Sequence, residues 1–432
     1  MFAPAAAKNC SAGQFMRFQR VGDIILKVAI VGGGAAGLMA AYAAAVNGND
    51  VTVYEKNQKC GKKIYITGKG RCNFTNAVPP DEFLQNVVNN PKFLTRAIYS
   101  FPPERCIEFF ENGGMPVKVE RGNRAFPVSD KASDVTKTLE KYCKNVGVGI
   151  RLGEEIKDFT ILNSTVSDII TSRGTYKTDK IIVCTGGLSY PSTGSTGDGY
   201  RFAEKAGHTI KPPKQALCGL NLAGGFYKKL QGLTLKNVRL SAEYGEKTIF
   251  SQLGEMLFTH FGISGPLVLS LSSLINRLDL KNLKLYIDLK PALDIEALDR
   301  RILRDFSQAA NKNIYNCLKE LLPVSLIEII LERAKIPADK KVNVITTAER
   351  AALLTSIKNF DMIVSSLRGF EEAIITSGGV NVNQINPATM ESKLVKGLYF
   401  CGEVLDVDAF TGGFNLQIAF ATGFAAGNSI KD

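Results

Sequence analysis

At 432 residues the chain is too long for one ordinary core, and its length points to about three lobes. Hydrophobic residues at 45% and charged residues at 22% exclude a disordered chain. The formal charge of +12 reads as a solvated surface with sites for anionic ligands, because no arginine-rich arm or basic amphipathic helix focuses it on nucleic acid or membrane.

Residues 1–23 form a short extension without the order of a signal peptide, and Met16 is an alternative start. A buried strand is predicted at 24–31, a tight turn at 32–37, an alanine-rich helix at 35–46 closed by Asn47-Gly48, and a second strand at 50–55. Hydropathy alone would read 24–46 as a membrane anchor, but Lys27 and the run Gly32, Gly33, Gly34 would break such a helix. Strand, helix and strand in so short a span predict a parallel sheet.

A loop rich in glycine and lysine follows at 56–76, then amphipathic helices across 81–150 and hairpin-like strands from 149, ending in the apolar strand 180–184. From 196 the character changes to alternating strand-like runs, such as 238–244 and 283–289. A helical stretch at 293–358 includes 325–334. From 371 short strands and glycine turns return, ending in a helix at 416–430. The expected organisation is therefore a first unit at 24–195, an inserted lobe at 196–370 (β-rich to 292, helical at 293–360), and a return to the first unit at 371–432.

Four segments carry chemistry. Gly32, Gly34 and Gly37 make a GxGxxG between a strand and a helix. Gly32 permits the turn, Gly34 lets backbone approach a pyrophosphate, and Gly37 lets helix and strand pack closely. The helix opens at Ala35 and Ala36, where free N–H groups and the positive dipole end favour phosphate. Glu55, closing the second strand, is placed to accept hydrogen bonds from ribose hydroxyls, and it disfavours a 2′-phosphate.

The loop KNQKCGKKIYITGKGRCNFTN (56–76) brings Lys56, Lys59, Lys62, Lys63, Lys69 and Arg71 together with Gly61, Gly68 and Gly70, and continues into Cys72 and Asn73. It is expected to run along the phosphates of a dinucleotide. Flavin disulfide reductases carry two cysteines in a comparable loop; Cys72 lacks the second. The turn Thr185-Gly186-Gly187 ends an apolar strand and returns the chain to the cofactor. Near the C-terminus Gly402-Glu403 can hydrogen-bond ribityl hydroxyls, and Gly412, Gly413, Asn415 and Leu416 open a helix towards the flavin N1/C2=O edge. A helix N-terminus favours negative charge there by ~0.3–1 kcal/mol, and by ~2 when buried. Two chain ends converging on one dinucleotide point to FAD.

The nine cysteines are irregularly spaced with no CxxC, which argues against a disulfide framework or zinc ribbon and fits a reducing cytoplasm. Of the two histidines, His208 reads as structural and His260 as a candidate acid–base or substrate group. No metal site is expected.

Together GKGRCNFTN (68–76), AFPVSDKASDV (125–135), YPSTGSTGDGYRFAEKAGHTI (190–210), GEMLFTHFGISGP (254–266) and GLYFCGEVLDVDAFTGGFNLQIAFATGFAAG (397–427) resemble the bacterial NAD(P)/FAD-dependent oxidoreductases of the aminoacetone oxidase-like or BaiN type. The resemblance implies an α/β fold. A split Rossmann-like FAD-binding domain, glutathione-reductase-like, would carry an inserted β-barrel-like plus helical lobe. Where relatives commonly have three glycines this chain has Gly68-Lys69-Gly70, so Lys69 must accept that backbone conformation.

The leading expectation is a cytoplasmic FAD-dependent oxidoreductase transferring a hydride between flavin N5 and a small organic substrate that enters between the FAD domain and the insert. Arg124, His260 and Cys72 are the candidates near that face. No second strand-GxGxxG-helix unit is found, so NAD(P)H, if it is the donor, binds transiently at the same face. The alternatives are a flavoprotein that acts on or binds tRNA, and a flavin-binding regulator without turnover. The residues leave the oligomeric state open.

Overall fold

The computed structural model describes residues 25–431; the extension at 1–23, with Cys10 and Met16, lies outside the described residues. The first strand, β1 (Lys27–Val31), the helix α1 (Ala35–Val46) and the second strand, β2 (Asp50–Glu55), form the expected βαβ unit. Val28 to Val31 are buried, as a parallel strand covered on both faces requires.

β1 is the centre of a five-stranded sheet in the order Leu398–Phe400, Lys180–Val183, β1, β2, Gly149–Leu152. Every pairing in it is parallel. The chain builds outward from β1 to Gly149–Leu152, then reverses to add Lys180–Val183 on the other side of β1. That reversal opens a crevice beyond the carboxyl ends of the strands, where such sheets bind ligands.

The last helix, Phe414–Ser429, lies on α1. A Cβ at Gly423 would collide with the Ala36 carbonyl oxygen, and one at Gly427 with the Ala40 carbonyl oxygen. Alanine on one helix and glycine on the other let the two backbones approach, so the end of the chain seals its beginning. One buried cluster accordingly joins residues between 28 and 206 to residues between 380 and 430.

Two features within 56–183, a short helix and a small antiparallel sheet, were not anticipated as elements. The 56–76 loop contains a short helix, Lys62–Ile66. The amphipathic stretch holds the helices Pro80–Gln85, Pro91–Ser100, Pro103–Asn112 and Ala132–Asn145, the first three opening on proline. Between them, Thr75–Asn76, Arg124–Pro127 and Val117–Glu120 form a small antiparallel sheet. Ile156–Leu162, Thr165–Thr171 and Thr175–Lys177 make the expected antiparallel hairpin set.

A second buried cluster lies between residues 220 and 364. It backs a seven-stranded sheet in the order Phe360–Met362, Leu283–Asp288, Thr234–Tyr244, Lys247–Phe258, Gly262–Ser264, Leu220–Leu222, Val364–Leu367. Its helices include Pro266–Ile275, Ile295–Gln308, Val324–Ala334 and Thr347–Lys358, the last held by a capping box between Thr346 and Glu349. Ile210–Ala216 pairs antiparallel with Ile375–Val380, so the chain enters and leaves this region side by side. No described helix is long and apolar enough to cross a membrane; α1 has only 12 residues.

Candidate functional site

A cleft of about 1270 Å³ opens at the sheet's carboxyl edge. That exceeds the roughly 300–1,000 Å³ of a single small-ligand pocket. Its floor begins at the βαβ turn. Gly32 has φ +101 and donates its N–H to the Tyr54 carbonyl at 2.9 Å, which pins the turn between β1 and β2. Gly34 caps α1 without a side chain, and the first bond of the helix runs from Leu38 N to Gly34 O at 3.0 Å. The N–H groups of Ala35, Ala36 and Gly37 therefore have no partner within the helix. Gly34, Ala35 and Ala36 line the cleft, and a Cβ on Gly34 would meet nothing within 4 Å. Gly37 does not line it: a Cβ there would collide with the Gly32 carbonyl oxygen, so its task is the close packing of helix on strand.

Glu55 is only 8% exposed. One carboxylate oxygen accepts Gly33 N at 2.8 Å; the other accepts Asn57 N at 2.8 Å and Asn57 Nδ2 at 2.7 Å. It thus braces the turn while facing the cleft. Asn57, which also lines the cleft, was not singled out in the sequence.

The cations of the 56–76 loop need a correction. Lys59 is off the cleft wall; Lys69 lines it, and Lys56, Lys62, Lys63 and Arg71 line it but are held by other groups of the protein. Lys56 is tied to Asp198 at 2.7 Å and Thr196 at 2.6 Å, Lys62 to Asn57 Oδ1 at 3.0 Å and the Ser192 carbonyl at 3.1 Å, and Lys63 to Glu403 at 2.6 Å. Arg71 is bound to Glu120 and, through Nε at 2.8 Å, to Asp130, with its guanidinium 4.3 Å from the Phe126 ring centre. The Arg71 hydrogen bond holds the Glu120 carboxyl below its usual range, and those from Lys118 and Arg71 do the same for Asp130. Lys69 takes φ +57, the left-handed conformation expected of it.

Cys72 also needs correcting. It is fully buried, does not line the cleft, and its burial pushes the thiol up, so it offers no nucleophile to a reacting face. Gly70 is likewise off the cleft wall. Asn73 lines it, and its Oδ1 is buried without a hydrogen-bond partner.

Thr185 and Gly186 line the cleft, whereas Gly187 does not: a Cβ there would collide with Thr376 Oγ1, which accepts Leu188 N at 2.8 Å. Cys184 and Cys401, at the carboxyl ends of neighbouring strands, lie in the floor with their sulfurs 3.1 Å apart. From the far end of the chain come Gly402, Glu403, Gly412, Gly413, Asn415 and Leu416, all on the wall. Glu403 spends its oxygens on Lys63 and on Thr376 N at 2.8 Å. Asn415 holds the preceding turn through Ala409, accepting its N–H at 2.9 Å and donating to its carbonyl at 2.8 Å. The helix after Gly413 has no side-chain cap, so its first N–H groups lack a partner within the helix, and its first turn lines the cleft.

The opposite wall, from the 220–364 region and its flanks, is mainly apolar: Leu217, Leu257, Phe261, Pro266, Leu269 and Ile374. His260 is exposed and does not line the cleft; its ring lies edge-on to Phe261 at 5.1 Å. Phe261 in turn carries the Arg368 guanidinium at 4.4 Å, and Arg368 pairs with Glu372 of the wall. Arg124 is on the wall, donating Nε to the Arg121 carbonyl at 3.0 Å. Among the described residues no His, Cys, Asp or Glu cluster suits a metal ion.

The HI0933-like protein Rossmann domain matches residues 26–429. The chain belongs to that family. It is 31% identical over 411 residues to a 3-dehydro-bile acid delta(4,6)-reductase of Clostridium scindens, covering 94% of this chain and 99% of the relative. It is 32% identical over 408 residues to a ribosomal RNA dihydrouridine synthase of Haemophilus influenzae, covering 93% and 98%. In fold it is similar to the 3-ketosteroid-delta4-(5alpha)-dehydrogenase of Rhodococcus jostii, with a TM-score of 0.51 at 14% identity, covering 95% and 98% of the two chains. This HI0933-like protein is an FAD-dependent oxidoreductase with an α/β fold.

Proposed function

We propose that the chain reduces a carbon–carbon double bond conjugated to a carbonyl, with FAD held where its two ends meet. The observation that carries this is one cleft lined by the starts of two helices, which would serve the phosphate and ring ends of the cofactor. Open space above Gly34 and the unpartnered buried oxygens of Asn73 and Asn76 in the wall suit a dinucleotide that brings N–H donors. Gly32, Gly34, Ala35 and Ala36 would hold the pyrophosphate and Glu55 the ribose, while Gly402 and the 412–416 turn would hold the ribityl chain and ring. Bound there, FAD supplies hydride chemistry at N5.

The relatives support the substrate class by their shared chemistry. A delta(4,6)-reductase acting on a 3-dehydro compound and an enzyme forming dihydrouridine both saturate a bond conjugated to a carbonyl. The apolar wall would pack the flat body of such a substrate. Arg124, 3.9 Å from Glu120, is a cation of the cleft wall that would meet its carbonyl; His260, exposed and off the wall, is not placed to act there. NAD(P)H is the candidate donor at the same face. Under anaerobic conditions, photoreduced protein mixed with a steroid 4-en-3-one should regain its oxidised flavin absorbance. No reoxidation by that or any other conjugated enone would overturn the proposal. Stopped-flow mixing with NADH and NADPH tests the donor by the bleaching of bound flavin.

A second reading, favoured by two relatives, takes a uridine in ribosomal RNA as the substrate. It runs against the expectation from the unfocused charge. Retention of ribosomal RNA in a gel shift that weakens steeply with salt would support it; no retention at low salt would remove it.

A further inference from the structure

Asn76 ends the short strand Thr75–Asn76, opposite Arg124 of the neighbouring strand. It is 4% exposed and lines the cleft. Its Nδ2 donates to two carbonyls, Gly122 O at 3.0 Å and Gly412 O at 2.9 Å. A carbonyl can only accept, so these two bonds decide which end of the amide is nitrogen. The oxygen is then fixed on the other side, and it is buried with no hydrogen-bond partner. Native proteins pair buried acceptors almost always. An acceptor held this firmly and left unpaired beside the cleft marks a donor that the ligand brings.

The surroundings say which donor. Gly412, whose carbonyl Asn76 holds, lies two residues before the helix Phe414–Ser429, and the first turn of that helix, its N–H groups uncapped, lines the same cleft. Side by side, the wall thus presents donors from the helix and an acceptor from Asn76. The complementary ligand edge carries an acceptor next to a donor. On an oxidised isoalloxazine that edge is C2=O beside N3–H, and N3–H is the ring's single N–H. We propose that Asn76 Oδ1 accepts the flavin N3–H and so sets the register of the ring against the helix N-terminus. The role rests on the FAD reading above and makes Asn76 a positioning residue.

The test is competition between FAD and 3-methyl-FAD, which lacks the N3–H, on the full-length protein, followed by the ratio of the two flavins retained. Wild type should prefer FAD by about 10- to 100-fold, the range for leaving a buried polar group unpaired. Asn76→Ala should bind both flavins equally. Asn76→Asp should keep a preference, because it retains an acceptor. Both variants lose the bonds to Gly122 and Gly412, so a merely structural role would move them together. Equal binding of the two flavins by wild type, or a preserved preference in Asn76→Ala, overturns the inference while leaving FAD as the cofactor. Failure of wild type to bind either flavin overturns both.

Discussion

Gly34 and Gly37 stand in one turn under opposite demands. Gly34 has φ −83 and open space where a side chain would go, so Gly34→Val should fold as wild type but fill the phosphate cradle. Its flavin content after purification should fall at least about tenfold, the loss of one or two good hydrogen bonds, with the melting temperature of flavin-free protein unchanged. Gly37→Ala meets the Gly32 carbonyl and should cost roughly 1–3 kcal/mol in thermal denaturation; a variant as stable as wild type would refute the packing account.

Asp408 offers a pH test. It is 1% exposed, with Oδ1 accepting Asn89 Nδ2 at 2.6 Å and Oδ2 unpartnered. Burial pushes its carboxyl from 3.8 up to about 6; hydrogen bonds from Asn89 and Ser377 and the charge of Arg277 lower it, and Asp406 raises it. As pH rises through this window the unfolded chain gives up its proton before the folded chain does, so folding weakens, by on the order of 3 kcal/mol when complete. Asp408→Asn should therefore gain thermal stability relative to wild type between pH 4 and pH 7. An unchanging difference across that range would show that Asp408 is not titrating there.

Between elements, the contact of α1 with Phe414–Ser429 brings two helix backbones together at glycine. Gly427→Leu would push the helix off Ala40 and Ala44. Because the first turn of the same helix lines the cleft, both the melting temperature and the flavin affinity should drop. Loss of stability with unaltered affinity would separate the joint from the site.

The elements of this joint were largely legible in the sequence. Alternating strand, glycine turn and alanine-rich helix gave α1 and β2 to the residue, and glycine spacing gave the C-terminal helix. The short helix Lys62–Ile66 was not legible, since five residues hold too little periodicity to register. Nor were the partners of the loop lysines, because Asp198 and Glu403 lie far along the chain from Lys56 and Lys63. A run of positive charge reads as a phosphate track until folding shows that carboxylates already occupy it. Asn76 stood within the quoted 68–76 segment; its three-residue offset from Asn73 was the available signal, and only burial and an unpaired oxygen gave it meaning.

For the molecule as a whole, binding at the joint of both ends should couple cofactor to global stability. FAD added at about 100 times its dissociation constant should stabilise the fold by about 2.7 kcal/mol, read as a rise in melting temperature. No shift in the presence of saturating FAD would contradict the site. The arrangement also fixes a timetable for biosynthesis. Synthesis reaches the turn at Gly37 well over 300 residues before it reaches the helix Phe414–Ser429. At roughly 5–20 residues per second, the growing chain therefore carries only one half of the proposed cradle for tens of seconds. Flavin should then load only after Phe414–Ser429 has been made, and a chain truncated before Phe414 should purify colourless.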